Sequence, residues 1–330
     1  MLFSVGILGT GSVLPALQVT AEDLDTRLNL PEGTSFARNG IRTRHFANEH
    51  ETTSAMSTQA ICRALNTAGL HARDLDAILF SGVMSEQPMP STATLIHRRL
   101  SGRMDGVSCF DINASCAGFL KGVEIAASGI QAGLWRHVAV VAAELASKGL
   151  NWDDLDTCTL FGDGAGAAIL GVTPSDRSSG ILAMRSTTLS EGADFCVMRA
   201  GGSRFNMRTP PADPIDYLFA MNGRGLLRLI QKHLPSFLDN LLDEIGDVDL
   251  IVPHQASAVG LAFLRKQLAE RRGNPIPFID MLSETGNQVS ASIPIALDRA
   301  VRLGLLQRGQ TALLLGTAAG VSLNGIAIRY

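Results

Sequence analysis

Charge is scarce in this chain. Only 18% of its 330 residues are charged, against about a quarter in an ordinary soluble protein, and the net charge is −3. No basic tract occurs, so the electrostatic footprint of nucleic-acid binding is missing. No run of about 18 apolar residues occurs either, and no membrane-spanning helix is expected. Cysteine is sparse and scattered: Cys62, Cys109, Cys116, Cys158 and Cys196 form no C-x-x-C pair. That pattern suggests neither a zinc site nor a disulfide framework and suits a reducing compartment. The segment from Met1 to Gly11 has no basic flank and is broken by glycines, unlike a signal peptide. A cytoplasmic protein without metal or cofactor is the expectation. What is abundant is apolar side chain, at 46%. That is enough for a large core, and the low surface charge anticipates self-association.

The most informative stretch is Asp111-Ile112-Asn113-Ala114-Ser115-Cys116-Ala117-Gly118-Phe119. A β-like run, Val107 to Phe110, precedes it. An apolar-periodic segment, Leu120 to Ala132, follows and predicts a helix. Cys116 therefore falls near the first turn of a helix, where unpaired N–H groups and the helix dipole favour a thiolate. Such a thiolate is a nucleophile; a buried, inert cysteine is the alternative the stretch leaves open.

Two later stretches share the pattern of one polar side chain at the end of an element. One is Asp249-Leu250-Ile251-Val252-Pro253-His254-Gln255-Ala256-Ser257. The other is Glu284-Thr285-Gly286-Asn287-Gln288-Val289-Ser290-Ala291-Ser292-Ile293-Pro294. An α/β fold collects its site at such places. Cys116, His254 and Asn287 together make a reactive set.

These motifs, with Phe161-Gly162-Asp163-Gly164-Ala165-Gly166, resemble in chain order those of the β-ketoacyl-acyl-carrier-protein synthase III family of the thiolase superfamily. The resemblance covers nearly the whole chain. It implies an α/β thiolase fold, five αβαβα layers built from two duplicated halves. It implies a decarboxylative Claisen condensation, with the acyl group held on Cys116 and His254 and Asn287 stabilising the enolate of a malonyl thioester. Acyl-CoA or acyl-carrier protein and malonyl-carrier protein would be the substrates, the acyl carrier protein the partner, and a homodimer the assembly. Three further residues enter on the same basis. Met89 would reach the partner's acyl tunnel, Arg228 would contact the carrier protein, and Gly320 would offer a backbone N–H near Cys116. A cysteine-dependent acyltransferase, a head-to-head condensation of two acyl chains and a non-catalytic acyl-binding subunit are the competing readings. The intact reactive set weighs against the last.

The rest of the chain fits alternating layers. Strands are predicted at Phe3 to Leu8, Asp76 to Ser81, His137 to Ala143, Ala165 to Val172, Ile181 to Ser186, 249–253, 311–315 and Val321 to Arg329. Helices are predicted at Ser54 to Ala68, Ser91 to Leu100, Asp216 to Leu242, 258–271 and 288–304. Gly9-Thr10-Gly11-Ser12 reads as a turn, since a lone G-x-G is weak evidence for a dinucleotide site. Residues 20–50 read as irregular. Thr173 to Gly180 is the best linker, which divides the chain into halves 1–173 and 174–330. The family's adenine clamp has Thr34 and a position near Leu155 where an aromatic and an arginine would stand, and Val259 replaces a basic residue after the histidine motif. Those departures put the acyl donor, not the chemistry, in question.

Overall fold

A computed structural model describes residues 3–100, 105–173 and 179–330. Two sheets carry the fold. The first has five strands in the spatial order Val5–Val13, Gly164–Val172, His137–Glu144, Ala77–Ser81 and Ser108–Ile112. The second has four, in the order Leu250–Pro253, Thr311–Ala318, Ser322–Arg329 and Gly180–Thr188. In the first sheet three parallel strands, His137–Glu144, Ala77–Ser81 and Ser108–Ile112, are extended by two antiparallel neighbours; in the second a parallel pair is extended in the same way.

Side-chain alternation sorts the layers. Val138, Val140 and Ala142 face a central core with helices Gly118–Gln131 and Ser292–Arg302. Ala139, Val141 and Ala143 face an outer core with helices Thr53–Ala68 and Thr92–Arg99. The second sheet alternates likewise: Leu314 and Ile326 point to the central core. Leu313, Leu315 and Ala327 point to an outer core with helices Gly223–Leu242 and Ala258–Arg272. Burial on both faces explains why these strands read as unbroken apolar runs. The result is the five-layer αβαβα arrangement that the sequence anticipates, with the central helix pair shared by both halves.

Local chemistry sets the boundaries. Thr52 caps Thr53–Ala68 by accepting from the Ala55 N–H, and Gly69 ends it in the left-handed region. Ser91 caps Thr92–Arg99 and Ser257 caps Ala258–Arg272 in the same way. Three expectations change. Gly9 and Gly11 belong to the strand, not a turn, because helix Thr53–Ala68 lies directly on it. A Cβ on Gly9 would stand 2.4 Å from Ala64 O, and one on Gly11 2.5 Å from Ala60 O. Residues 20–50 are ordered, as two short helices (Ala21–Arg27, Thr34–Asn39) and a hairpin of Leu17–Thr20 with Thr43–Phe46. The helix expected from Asp216 begins only at Gly223, where Asn222 caps it.

The linker strand-ends, Val172 and Gly180, sit in different sheets; residues 174–178 of that linker lie outside the described residues. No helix among the described residues is long and apolar enough to cross a membrane.

Candidate active site

Cys116 lies in a single 3₁₀ turn, Ser115–Ala117, between strand Ser108–Ile112 and helix Gly118–Gln131. The turn is tight. Ser115 has φ +49°, a region costly for a residue with a Cβ, and its N–H donates to Asn113 Oδ1 at 3.3 Å. Gly118 is obligatory behind it: a Cβ there would stand 2.4 Å from Ser81 Oγ.

His254 ends the parallel strand Leu250–Pro253. Its N–H donates to Leu315 O at 2.7 Å, continuing the ladder by one residue. Gln255 locks the bend. Its Nε2 donates to Pro253 O and Ile279 O at 3.0 and 3.3 Å, and its Oε1 accepts from Met281 N–H at 2.8 Å.

Asn287 is held on both sides. Its main chain bridges to the Phe161–Gly162 segment, accepting from Gly162 N–H at 3.1 Å and donating to Leu160 O at 3.0 Å. Its Oδ1 accepts from Val289 N–H at 2.8 Å, and its Nδ2 donates to Ala256 O at 3.2 Å. One amide hydrogen is thus committed to the histidine loop and the second is left over. The glycines of Phe161-Gly162-Asp163-Gly164 serve this contact. A Cβ on Gly162 would stand 2.3 Å from Thr285 O, and one on Gly164 2.6 Å from Gln288 Nε2. Asp163 anchors the same segment by accepting from the N–H groups of Ala47 and Ser147 at 2.8 and 2.9 Å.

Cys116, His254 and Asn287 line one cavity of about 1430 Å³, contributed by both halves. That exceeds the usual range of about 300–1,000 Å³ for a small-molecule pocket. Its wall is mostly apolar, with Met84, Met198, Phe219, Leu226 and Phe263 among the lining residues.

The electrostatics differ from the sequence expectation at one point. Cys116 is not poised as a thiolate: burial pushes its thiol up to about 12, and the nearby Glu144 and Cys196 push in the same direction. The N–H groups of Ala319 and Cys116 itself pull the other way, less strongly. Desolvation overrides the helix start here. His254, 6% exposed, is pushed down to about 4 by burial and is therefore neutral at physiological pH. Glu144, which sequence reasoning missed, is a buried carboxyl pushed up to about 7 by burial, against hydrogen bonds from Ser290 Oγ at 2.6 Å and Val83 N–H at 2.9 Å. It ends the apolar strand His137–Glu144 as a polar side chain at the end of an element, but no motif accompanies it.

The remaining nominated residues fall outside this wall. Gly320 was expected to present the N–H near the thiol; that N–H belongs to Ala319, and Gly320, at φ +127°, is not part of the cavity lining. Arg228 is exposed and off the wall, whereas Arg224, one turn earlier, lines it. Met89 is 83% exposed, just beyond Pro88 of the wall. At the rim, near Thr34 and Leu155, Arg38 Nε and Asp156 Oδ1 form an exposed ion pair at 3.4 Å.

Comparison with known proteins agrees with the geometry. Residues 110–190 match the family 3-oxoacyl-[acyl-carrier-protein] synthase III, and residues 243–330 match its C-terminal part. The β-ketoacyl-[acyl-carrier-protein] synthase III of Caldanaerobacter subterraneus subsp. tengcongensis is 34% identical over 99% of this chain and 98% of its own. The crystal structure of 3-oxoacyl-[acyl-carrier-protein] synthase III from Aquifex aeolicus superimposes with a TM-score of 0.85 at 32% identity, over 99% of this chain and all of that one (100%). The priming β-ketosynthase of the R1128 polyketide pathway gives 0.87 at 31% identity, over 98% of this chain and 95% of its own. With its fold, its four motifs and these relatives in agreement, the chain belongs to the 3-oxoacyl-[acyl-carrier-protein] synthase III family of thiolase-fold condensing acyltransferases.

Proposed function

We propose that Cys116 carries the acyl group in a decarboxylative condensation with malonyl-acyl-carrier protein, and that His254 and Asn287 stabilise the enolate. The observation that carries this is the convergence of the three side chains on one cavity, with the Ala319 N–H at the thiol. In the first half-reaction Cys116 Sγ bonds to the acyl carbonyl carbon, and the carbon–sulfur bond of the incoming thioester breaks. The proton leaving Cys116 ends on the departing thiol. Burial keeps the resting thiol protonated, so loss of that proton is part of the acylation step. The N–H groups of Cys116 and Ala319 are the donors available to the tetrahedral oxygen.

In the second half-reaction the malonyl thioester loses carbon dioxide and its electron pair moves onto the thioester oxygen. Neutral His254 and the uncommitted N–H of Asn287 suit that oxygen, since both donate without changing charge. The enolate carbon then attacks the acyl carbonyl, and Cys116 leaves and regains a proton.

The wider assembly belongs to the same proposal. The chain divides at 173/174 into a half with Cys116 and a half with His254 and Asn287. Strand Ser108–Ile112 ends the first sheet, with one edge that no strand among the described residues pairs, which suits pairing with a second copy. Met89 would then reach the partner's acyl pocket, and Arg228 would meet the carrier protein. The cytoplasm is the compartment where these substrates occur. Incubation with acyl-CoA and malonyl-carrier protein, read by intact-protein and product mass spectrometry, tests the reading. An acyl adduct on Cys116 and a β-ketoacyl product lengthened by two carbons are expected. An adduct chased by water or an amine, with malonyl-carrier protein untouched, would replace condensation by simple acyl transfer.

A further inference from the structure

The cavity has two apolar sides, and they belong to different cores. Cys116 packs with Phe161, Phe219 and Met221 in one cluster. The other side belongs to the outer core of the second half, under helices Gly223–Leu242 and Ala258–Arg272. The two clusters share no buried residue. The outer core of the first half contributes nothing to the wall among the described residues.

The second side has the shape of an arm. Leu226, Ile230, Leu234 and Phe237 follow one another at helical spacing on one face of Gly223–Leu242, and all four line the cavity. The stripe runs about 16 Å along the helix. Phe263 and Leu264 of the neighbouring helix line it too. Leu226, Ile230, Phe263 and Leu264 are half-buried, so part of each is open to an occupant, while Leu234 and Phe237 are nearly covered. At the inner end stands Thr317, half-buried and small, two residues before the Ala319 whose N–H meets the thiol. It shares a face of strand Thr311–Ala318 with Leu315, a member of the outer core. His254 borders this side, since its N–H donates to Leu315 O. An enolate held by His254 therefore forms next to the arm.

The reaction as derived leaves this arm without an occupant. An acyl chain on Cys116 starts within the cysteine's own cluster, and a malonyl group is small and charged. Apolar walls facing water are unfavourable, and an alkyl chain relieves them. We propose that the arm takes an alkyl chain carried on the enolate carbon, so that the condensing partner is a 2-alkylmalonyl thioester in preference to plain malonyl. This rests on the condensing-enzyme reading of the site. Loss of carbon dioxide leaves the electron pair on the substituted carbon and the thioester oxygen. That carbon bonds to the acyl carbonyl carbon, the bond to Cys116 Sγ breaks, and the sulfur regains its proton. The product is a 2-alkyl-3-oxoacyl thioester.

The test uses the full chain, acylated on Cys116 by acyl-CoA and then given malonyl- or hexylmalonyl-carrier protein. Product is followed by mass spectrometry in the native protein, Ile230→Trp, Thr317→Phe and, on the cysteine's own side, Met221→Trp. The native protein should condense hexylmalonyl about tenfold faster or more than malonyl. That ratio should fall to about one or below in Ile230→Trp and Thr317→Phe, and Met221→Trp should keep it. Should one arm variant not fold, the other and the native ratio still decide. A native ratio near one or below, or a ratio that survives both arm variants, overturns the inference and leaves the condensing function standing. So does a shortened acyl-CoA profile in the arm variants, which would give the arm to the chain on Cys116. An acylated Cys116 that condenses with neither partner would instead overturn the function itself.

Discussion

Two turns of the same build open the two central helices, and they are put to opposite uses. Asn113-Ala114-Ser115-Cys116-Ala117-Gly118 and Asn287-Gln288-Val289-Ser290-Ala291-Ser292 align position by position. In each, the asparagine Oδ1 accepts the N–H two residues on, at 3.3 and 2.8 Å. In each, that next residue has φ +49°, a 3₁₀ turn follows, and then a helix. A β-branched Val289 at such an angle is strained by about 1–3 kcal/mol, so its surroundings must hold it there. In the first turn the cysteine meets the cavity. In the second the equivalent Ser290 is fully buried, with its hydroxyl given to Glu144. There the asparagine takes the proposed chemical part. Backbone shape was duplicated; the surroundings of each turn decide which residue is available to a substrate.

The comparison can be broken first at its reactive ends. Cys116→Ala should abolish the acyl adduct completely, seen by intact mass, with little change in the unfolding midpoint. Ser290→Ala, the matching change in the second turn, should leave the adduct in place and cost about 1–3 kcal/mol in urea unfolding, the loss of a buried hydrogen bond. An adduct in Cys116→Ala would place the nucleophile elsewhere.

A smaller effect separates the half-reactions. His254→Ala and Asn287→Ala should each slow malonyl decarboxylation by on the order of a hundredfold or more, while acylation of Cys116 persists. Decarboxylation is measured as released carbon dioxide. Equal loss of both steps in folded variants would instead pair His254 with the thiol as its base.

The carboxyl behind the second turn gives a pH signature. Glu144 titrates near 7 in the fold and at its ordinary 4.5 unfolded. Between those values the folded chain keeps a proton that the unfolded chain has released. Its contribution to stability is therefore full below 4.5, falls as pH rises to 7, and stays low above. Glu144→Gln should remove this loss and stabilise the protein at pH 8 relative to pH 5 by on the order of 2–3 kcal/mol. His254 slopes the opposite way, losing stability as pH falls from 6.5 toward 4, and is common to both proteins. A difference that does not change with pH would mean Glu144 is ionised throughout.

The weakest effects belong to the rim, where side chains are exposed. Arg228→Ala should raise KM for carrier protein a few-fold at low salt, with kcat unchanged, and the difference should vanish at high salt. Met89→Trp should shorten the preferred acyl chain if the side chain enters a partner's pocket; an unchanged chain-length profile would exclude it.

The layered fold was legible because period-two strands buried on both faces leave long apolar runs, as at His137 to Ala143. The three residues that meet in one cavity stood out as candidates because each sits where an apolar run meets small residues. Covered glycines were not: Gly9 and Gly11 look like a turn until a helix is laid on them. Nor was Glu144, a lone acid at the end of an apolar strand whose partners, Val83 and Ser290, are distant in sequence.

Near neighbours and side-chain size made the alternation of strands and helices and the order of the motifs readable from the chain alone. The tertiary structure alone decided the charge state of the site. Desolvation sums over everything that surrounds a group, and the walls around Cys116, His254 and Glu144 come from both halves of the chain. That is why a cysteine beside a helix start is a neutral thiol, and why the Ala319 N–H rather than that of Gly320 meets it.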